Sequence, residues 1–218
     1  MLGIHMDSTP LDPTNVPPRQ EFEALLHEII QHPERKTEVE AKILRIFSVP
    51  KAVLVLDLSG FSRTTRQHGI VSFLLMIYQA RIVCEPCVKE YRGTLVKAEA
   101  DNLFCLFDRA EDAVSAAREM LQRLDTANSV LPDKRHIHAS IGIGFGETLY
   151  VGQEDLFGDE VNLASKLGED IAEAGEILLT KSAYTSLPAP EEDAAARQVN
   201  ISGLTLEYWK VRTVVLPV

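Results

Sequence analysis

Residues 51–69, KAVLVLDLSGFSRTTRQHG, decide the fold together with residues 93–108, GTLVKAEADNLFCLFD. Residues 52–58 are a short apolar run rich in Val and Leu, which predicts a central strand buried on both faces. A turn through Leu58, Ser59, Gly60, Phe61 and Ser62 leads into a helical pattern over residues 64–90, with Pro86 placed to kink it. Residues 93–97 and 103–108 read as two strands of a hairpin across 98–102. Asp57 therefore ends a strand, and Asp101 sits in a hairpin turn.

Residues 111–127 form an amphipathic helix through Ala113, Ala116, Ala117, Met120, Leu121 and Leu124. Residues 135–146 alternate Ile137, Ala139, Ile141 and Ile143, the pattern of a strand. The order is β-α-β-β-α-β, an α+β ferredoxin-like plan. Additions follow: a helix beginning over 158–168, a strand over 176–179, a short helix over 181–187 and a polar, Ala-rich loop over 188–197. A last strand over 206–215, with edge pairing from 198–202, makes a C-terminal hairpin. Residues 51–218 are thus expected to form one domain.

Upstream, Gly3-Ile4-His5-Met6 reads as a cloning scar. Residues 7–18, with Pro10, Pro13, Pro17 and Pro18, read as an unstructured lead, so 1–18 stands apart. Residues 19–50 are expected to be a helical arm. Phe22, Leu25, Leu26, Ile29 and Ile30 form one stripe; after Pro33, Val39, Ile43, Leu44, Ile46 and Phe47 form another. Such an arm either packs on the domain or serves dimerisation or signal relay.

The net charge of −10 disfavours broad binding to nucleic acid or anionic membranes, which needs clustered Lys and Arg. No run is read as a membrane span or a signal peptide. Sparse Cys84, Cys87 and Cys105 suit a reducing compartment, so a cytoplasmic location is expected. Cys84-Glu-Pro-Cys87 has redox spacing but falls late in a predicted helix, which favours packing. His136 and His138 share a strand face with no third ligand in view.

The chemistry centres on the turn. A chain segment opening a helix offers free N–H groups and a positive dipole end, which favour a polyphosphate on Ser59, Gly60, Phe61 and Ser62. Gly60 permits close backbone approach. Asp57 and Asp101 are hard oxygen donors suited to Mg²⁺ or Mn²⁺ bridged by substrate phosphates. Taken singly, Asp57 reads more simply as a turn cap and Asp101 as a solvated hairpin residue.

Three motifs in order change that weighting. VLDLSGFSRTTRQHG (55–69), LVKAEADNLFCLF (95–107) and EDLFGDEVNLASKLGEDIAEAGEILLT (154–180) resemble the class III nucleotidyl cyclases, the adenylate and guanylate cyclase catalytic domain. The resemblance covers roughly residues 51–212. It implies a head-to-tail homodimer with sites at the interface, two divalent ions per site, and conversion of a nucleoside triphosphate to a cyclic nucleotide and pyrophosphate. It also implies residue roles: Asp57 and Asp101 hold the metal, Lys97 and Asp155 read the base, Asn162 positions the ribose, and Lys166 stands where the family has an Arg that stabilises the pentavalent phosphorus.

Departures are visible. The family's Gly-Asp turn is Ala100-Asp101 here, and Ala adopts that conformation less easily. Lys166 keeps a charge but lacks the planar fork of Arg. The segment NISGLTLEYWK (200–210) has no clear cationic triphosphate contact, since Lys210 falls past the expected place. Lys97 as donor and Asp155 as acceptor match adenine and oppose guanine, so ATP is the expected substrate. Cytosine presents the same edge as adenine. A guanylate or pyrimidine nucleotide cyclase, or a weakly active cyclase-like dimerisation or regulatory module, stays open.

Overall fold

A computed structural model describes residues 16–59, 69–191, 194–201 and 204–211, and in it the expected central strand extends over Ser48–Leu58 (β1). Two helices precede it, α1 (Arg19–Gln31) and α2 (Lys36–Phe47). After it come α3 (Ile70–Glu90), β2 (Thr94–Glu99), β3 (Asn102–Phe107), α4 (Ala110–Asn128), β4 (Ala139–Val151) and β5 (Asp155–Phe157). Then follow α5 (Asp159–Ser165), a π-helical turn (Lys166–Ile171), β6 (Ile177–Thr180), α6 (Lys181–Thr185), β7 (Ala195–Ile201) and β8 (Leu204–Val211).

One eight-stranded sheet runs β2-β3-β1-β4-β6-β8-β7, with β5 paired to β4. Its first four strands have the ferredoxin-like order, with β1 antiparallel to both β3 and β4. The additions extend the sheet: β6 joins β4 in parallel, and the β7–β8 hairpin closes that edge.

Strand periodicity explains why residues 52–56 of β1 are all apolar. Ala52, Leu54 and Leu56 face α3 and α4, packing with Ala80, Cys84, Ala117 and Met120. Val53 and Val55 face the other way, into a second core with Phe104, Tyr150, Leu156, Val161 and Ala164. The three cysteines are buried and unpaired, and burial pushes their thiols up, Cys84 to about 12, which fits packing.

Several expectations need correction. The strand expected from residue 135 begins at Ala139, because Asn128 captures the segment before it. Its Nδ2 donates to the Ile137 carbonyl at 2.8 Å, and the Ile137 N–H donates to its Oδ1 at 2.7 Å. The strand then runs beyond Gly146 to Val151. The loop expected over 188–197 gives way to β7 at Ala195. The helix expected from residue 64 is described from Ile70, and residues 60–68 lie outside the described residues, as do 1–15 and 212–218.

α3 also corrects the reading that no run could span a bilayer: its 21 residues are long and apolar enough by length and composition. The cause is apolar residues on both sides. Phe73, Met76, Ala80, Cys84 and Cys87 are buried on the domain, while Ile70, Leu74, Tyr78 and Ile82 are exposed.

The arm packs on the domain. Leu25, Val39, Ile43 and Phe47 form a core with Val151 of β4. The end of the lead expected to be unstructured is held on the domain: Val16 packs on the second core and the Gly152 N–H donates to the Pro17 carbonyl at 3.0 Å.

Candidate active site

Two rungs of the sheet that are neighbours on one face carry Asp57 and Lys97. Asp57 on β1 pairs with Asn102 on β3, which pairs with Glu99 on β2; one row on, Val55 pairs with Phe104 and Phe104 with Lys97. Cross-strand partners share a face. Asp57, Glu99 and Lys97 therefore stand on the face of Val53 and Val55, opposite α3 and α4. Strand spacing and rise separate Asp57 from Lys97 by roughly 12 Å along the sheet.

Lys97 reaches that face through a register shift between Leu95 and Lys97. Without it Val96 would oppose Phe104 and Lys97 would turn to the far side. The sequence carries no sign of this bulge.

The carboxylate end is built on the hairpin turn. Ala100 has φ +51, so the residue standing in place of the family's Gly does take the left-handed conformation. The Leu58 N–H donates to the Asp101 carbonyl at 3.3 Å, which ties the turn to the end of β1. Burial first, then the charges of Asp101, Glu169 and Asp170, raise Asp57 to about 7. Glu169 is raised by burial, then by Asp170, Asp101 and Glu99, with Lys166 opposing.

Glu169 and Asp170 lie in the π-helical turn and were not anticipated. Asn102 Nδ2 donates to Glu169 Oε1 at 2.9 Å, while its buried Oδ1 has no partner among the described residues. The Ser59 N–H donates to the His138 carbonyl at 2.8 Å. Gly60, Phe61 and Ser62 lie outside the described residues.

This end fits a hard divalent ion in part. Its donors are carboxylate oxygens, and the raised Asp57 marks negative charge without enough compensation. Among the described residues no group of three or more His, Cys, Asp or Glu side chains could hold a metal. Asp57 and Asp101 would therefore supply a partial shell, which suits Mg²⁺ or Mn²⁺ completing theirs with water and phosphate oxygens.

The other end brings Lys97 and Asp155 together. Lys97 Nζ donates to Asp155 Oδ1 at 3.0 Å, lies 3.1 Å from Glu99 Oε2 and stands 4.8 Å over the Phe104 ring. Burial pulls Lys97 down, but its bonds to Asp155 and Glu99 outweigh it and the net shift is upward. For Asp155, burial pushes upward, and hydrogen bonds from Arg19 and Lys97 leave the carboxyl below its ordinary value. Arg19, at the start of α1, donates to Asp155 Oδ2. The arm pattern gave no reason to single it out.

Asn162 and Lys166 are exposed and four residues apart where α5 meets the π-helical turn, so they share one side. Glycines on β4 set that helix against the sheet. A Cβ on Gly142 would stand 2.0 Å from the Ala164 carbonyl oxygen, and one on Gly144 2.5 Å from that of Glu160. The alternating glycines of IGIGFG (141–146) are the signal that could have shown this close approach. Glu160 pins the helix further, its Oε2 accepting from the Phe145 N–H at 3.1 Å and from Thr180 Oγ1 at 2.7 Å. Lys210, the outlying cation of the last hairpin, is bound to Glu176.

Comparison with known proteins agrees with this architecture. The sequence profile described as the Adenylate and Guanylate cyclase catalytic domain matches residues 50–212. The chain belongs to that family. A putative adenylate cyclase 3 from Rhizobium meliloti is 31% identical over 129 residues, which is 59% of this chain and only 22% of that relative's length. The fold is shared with the guanylyl cyclase Cya2, with a TM-score of 0.66, 20% identity and coverage of 75% of this chain and 92% of that one. It is also shared with an adenylate/guanylate cyclase/hydrolase from Silicibacter pomeroyi, with a TM-score of 0.63, 24% identity and coverage of 75% and 96%. The adenylyl cyclase CyaB from P. aeruginosa aligns with a TM-score of 0.59, 20% identity and coverage of 76% and 95%.

Proposed function

We propose that the protein converts ATP to 3′,5′-cyclic AMP and pyrophosphate in a homodimer. The observation that carries this reading is the Lys97–Asp155 pair, a donor beside an acceptor, with Lys97 on the sheet face that also bears Asp57. Adenine N1 accepts where Lys97 donates, and the 6-amino group donates where Asp155 accepts. Guanine offers the reverse at both atoms, setting donor against donor and acceptor against acceptor. The relatives' names include both adenylate and guanylyl cyclases, so the base rests on this edge. Cytosine shares the edge and differs in size.

In the reaction the ribose 3′-oxygen bonds to the α-phosphorus, the bond to the β-phosphate oxygen breaks, and the hydroxyl proton leaves to solvent. Asp57 and Asp101 would hold Mg²⁺ or Mn²⁺, two ions per site, and such ions supply charge neutralisation and a more acidic hydroxyl when bound. The Ser59 N–H, expected to meet the phosphate chain, is instead spent on the His138 carbonyl, so the N–H groups of residues 60–62 would bind the phosphates. Asn162 would orient the ribose. Lys166 would place a positive charge on the phosphoryl oxygens as negative charge develops there.

Incubating the protein with ATP, GTP, CTP and UTP and Mn²⁺, and identifying products by mass, tests this directly. Cyclic AMP is expected as the main product. Cyclic GMP alone would overturn the base reading. No product from any triphosphate would favour the second reading, a cyclase-like regulatory module, which the engagement of Asp155 by Arg19 supports.

A further inference from the structure

Asp155 has two cationic partners, and one of them comes from outside the family's catalytic domain. Lys97 takes Oδ1, and Arg19 of α1 takes Oδ2. Both oxygens of the carboxylate assigned to the base are thus engaged. We propose that residues 16–22 form a strap that competes with the nucleotide base for Asp155, so that base binding and arm release are coupled. This rests on the assignment of Asp155 to the base.

The strap grips the short strand β5 at both ends. Before it, the Gly152 N–H donates to the Pro17 carbonyl at 3.0 Å. At its end, the Phe22 ring stacks on Phe157 with centroids 5.9 Å apart and planes 11° apart. Gly152 has φ +61, and a Cβ there would stand 3.2 Å from the Arg19 backbone nitrogen, so the two segments pass at backbone distance. Phe22 also meets Phe47 edge-on at 5.2 Å, immediately before β1. A displacement of the arm is therefore felt at Asp155.

The contact is built to exchange. An exocyclic amine is a neutral donor, and a guanidinium bond to the same carboxylate is the stronger of the two. Arg19, however, has other carboxylates at hand: Glu23 at 3.8 Å and Glu154 at 3.9 Å. On leaving Asp155 it keeps an ion pair, and the partly exposed setting makes the exchange cheap. Lys97 stays on Asp155 throughout, so the base finds a donor and an acceptor already aligned.

The test uses the full chain and the 3′-deoxy analogues of ATP, GTP, CTP and UTP, which lack the attacking hydroxyl and cannot cyclise. Arg19→Ala should tighten binding of the preferred analogue about threefold by calorimetry, and Arg19→Lys should fall between it and wild type. Saturating analogue should also speed amide exchange at Gly152 and over residues 20–24 in the wild-type chain. Unchanged or weaker binding by Arg19→Ala, or unchanged exchange, would overturn the strap. Cyclic product from wild type given the ordinary triphosphates, without tighter analogue binding by the variant, sinks the strap and leaves the cyclase reading. Tighter binding by the variant without cyclic product from either chain does the reverse. No binding of any analogue to either chain removes both the base pocket and the strap.

Discussion

At the scale of single residues, Asp57 carries the clearest electrostatic signature. Its carboxyl rises to about 7 in the folded chain, from about 3.9 for an unperturbed Asp. Between those values the folded state binds more protons than the unfolded state, so stability falls as pH rises from about 4 to about 7. Asp57→Asn removes that penalty. The variant should melt at a higher temperature than wild type at pH 8, with the gap shrinking toward pH 4. Mn²⁺ should raise the wild-type melting temperature at pH 8 and do less for the variant, because the ion binds only the folded site. A gap independent of pH would contradict the charge crowding. Base reading makes a second residue-scale prediction. Lys97→Glu with Asp155→Cys inverts the donor and acceptor, so ATP turnover should fall at least about tenfold while GTP is admitted. A competition assay among the four triphosphates, with unchanged selectivity, would remove Lys97 and Asp155 from that role.

At the scale of elements, α5 depends on the glycines beneath it. Gly142→Ala would press a methyl group against the Ala164 carbonyl, 2.0 Å from the new carbon. The helix must shift, at a cost of about 1–3 kcal/mol in stability. Asn162 and Lys166 ride on it, so kcat should fall more than the melting temperature alone explains. Thermal unfolding and steady-state kinetics on one preparation check both. The sequence made some of this legible and hid the rest for physical reasons. The unbroken apolar run of β1 answers to a layer on each face and the 3.6-residue period of α4 to one, so the ferredoxin-like core could be read from pattern alone. The turn at Ala100-Asp101 was legible too, because its positive φ follows from the motif. The bulge at Val96 was not, since a one-residue insertion in a strand is fixed by its partner strand and leaves no local mark. Glu169 and Asp170 were not singled out, because it is the π-helical turn that brings their charge to Asp57.

At the scale of the whole molecule, contacts between distant segments were the hardest to foresee, and Arg19 on Asp155 is the extreme case: 136 positions separate them. What assembly adds can be reached by complementation. The family resemblance divides the site between copies, with Asp57 and Asp101 from one and Lys97, Asp155, Asn162 and Lys166 from the other. Within one chain Asp57 and Lys97 share a sheet face, with Asp155 bound to Lys97, so two copies packed face to face in opposite directions would create two equivalent composite sites. An Asp57→Ala chain lacks the first half and an Asn162→Ala chain the second, and each alone should be inactive. In a mixed dimer one site collects both mutations and the other neither. Random exchange makes half the dimers mixed, and each regains one of two sites, so activity should return to roughly a quarter of wild type. The measurement is cyclic nucleotide formed after the two variants are mixed and re-equilibrated, with sedimentation establishing that mixed dimers are present. If mixed dimers form and activity stays absent, both groups serve one site within one chain, an arrangement their common sheet face also permits, and the shared-site dimer must be given up.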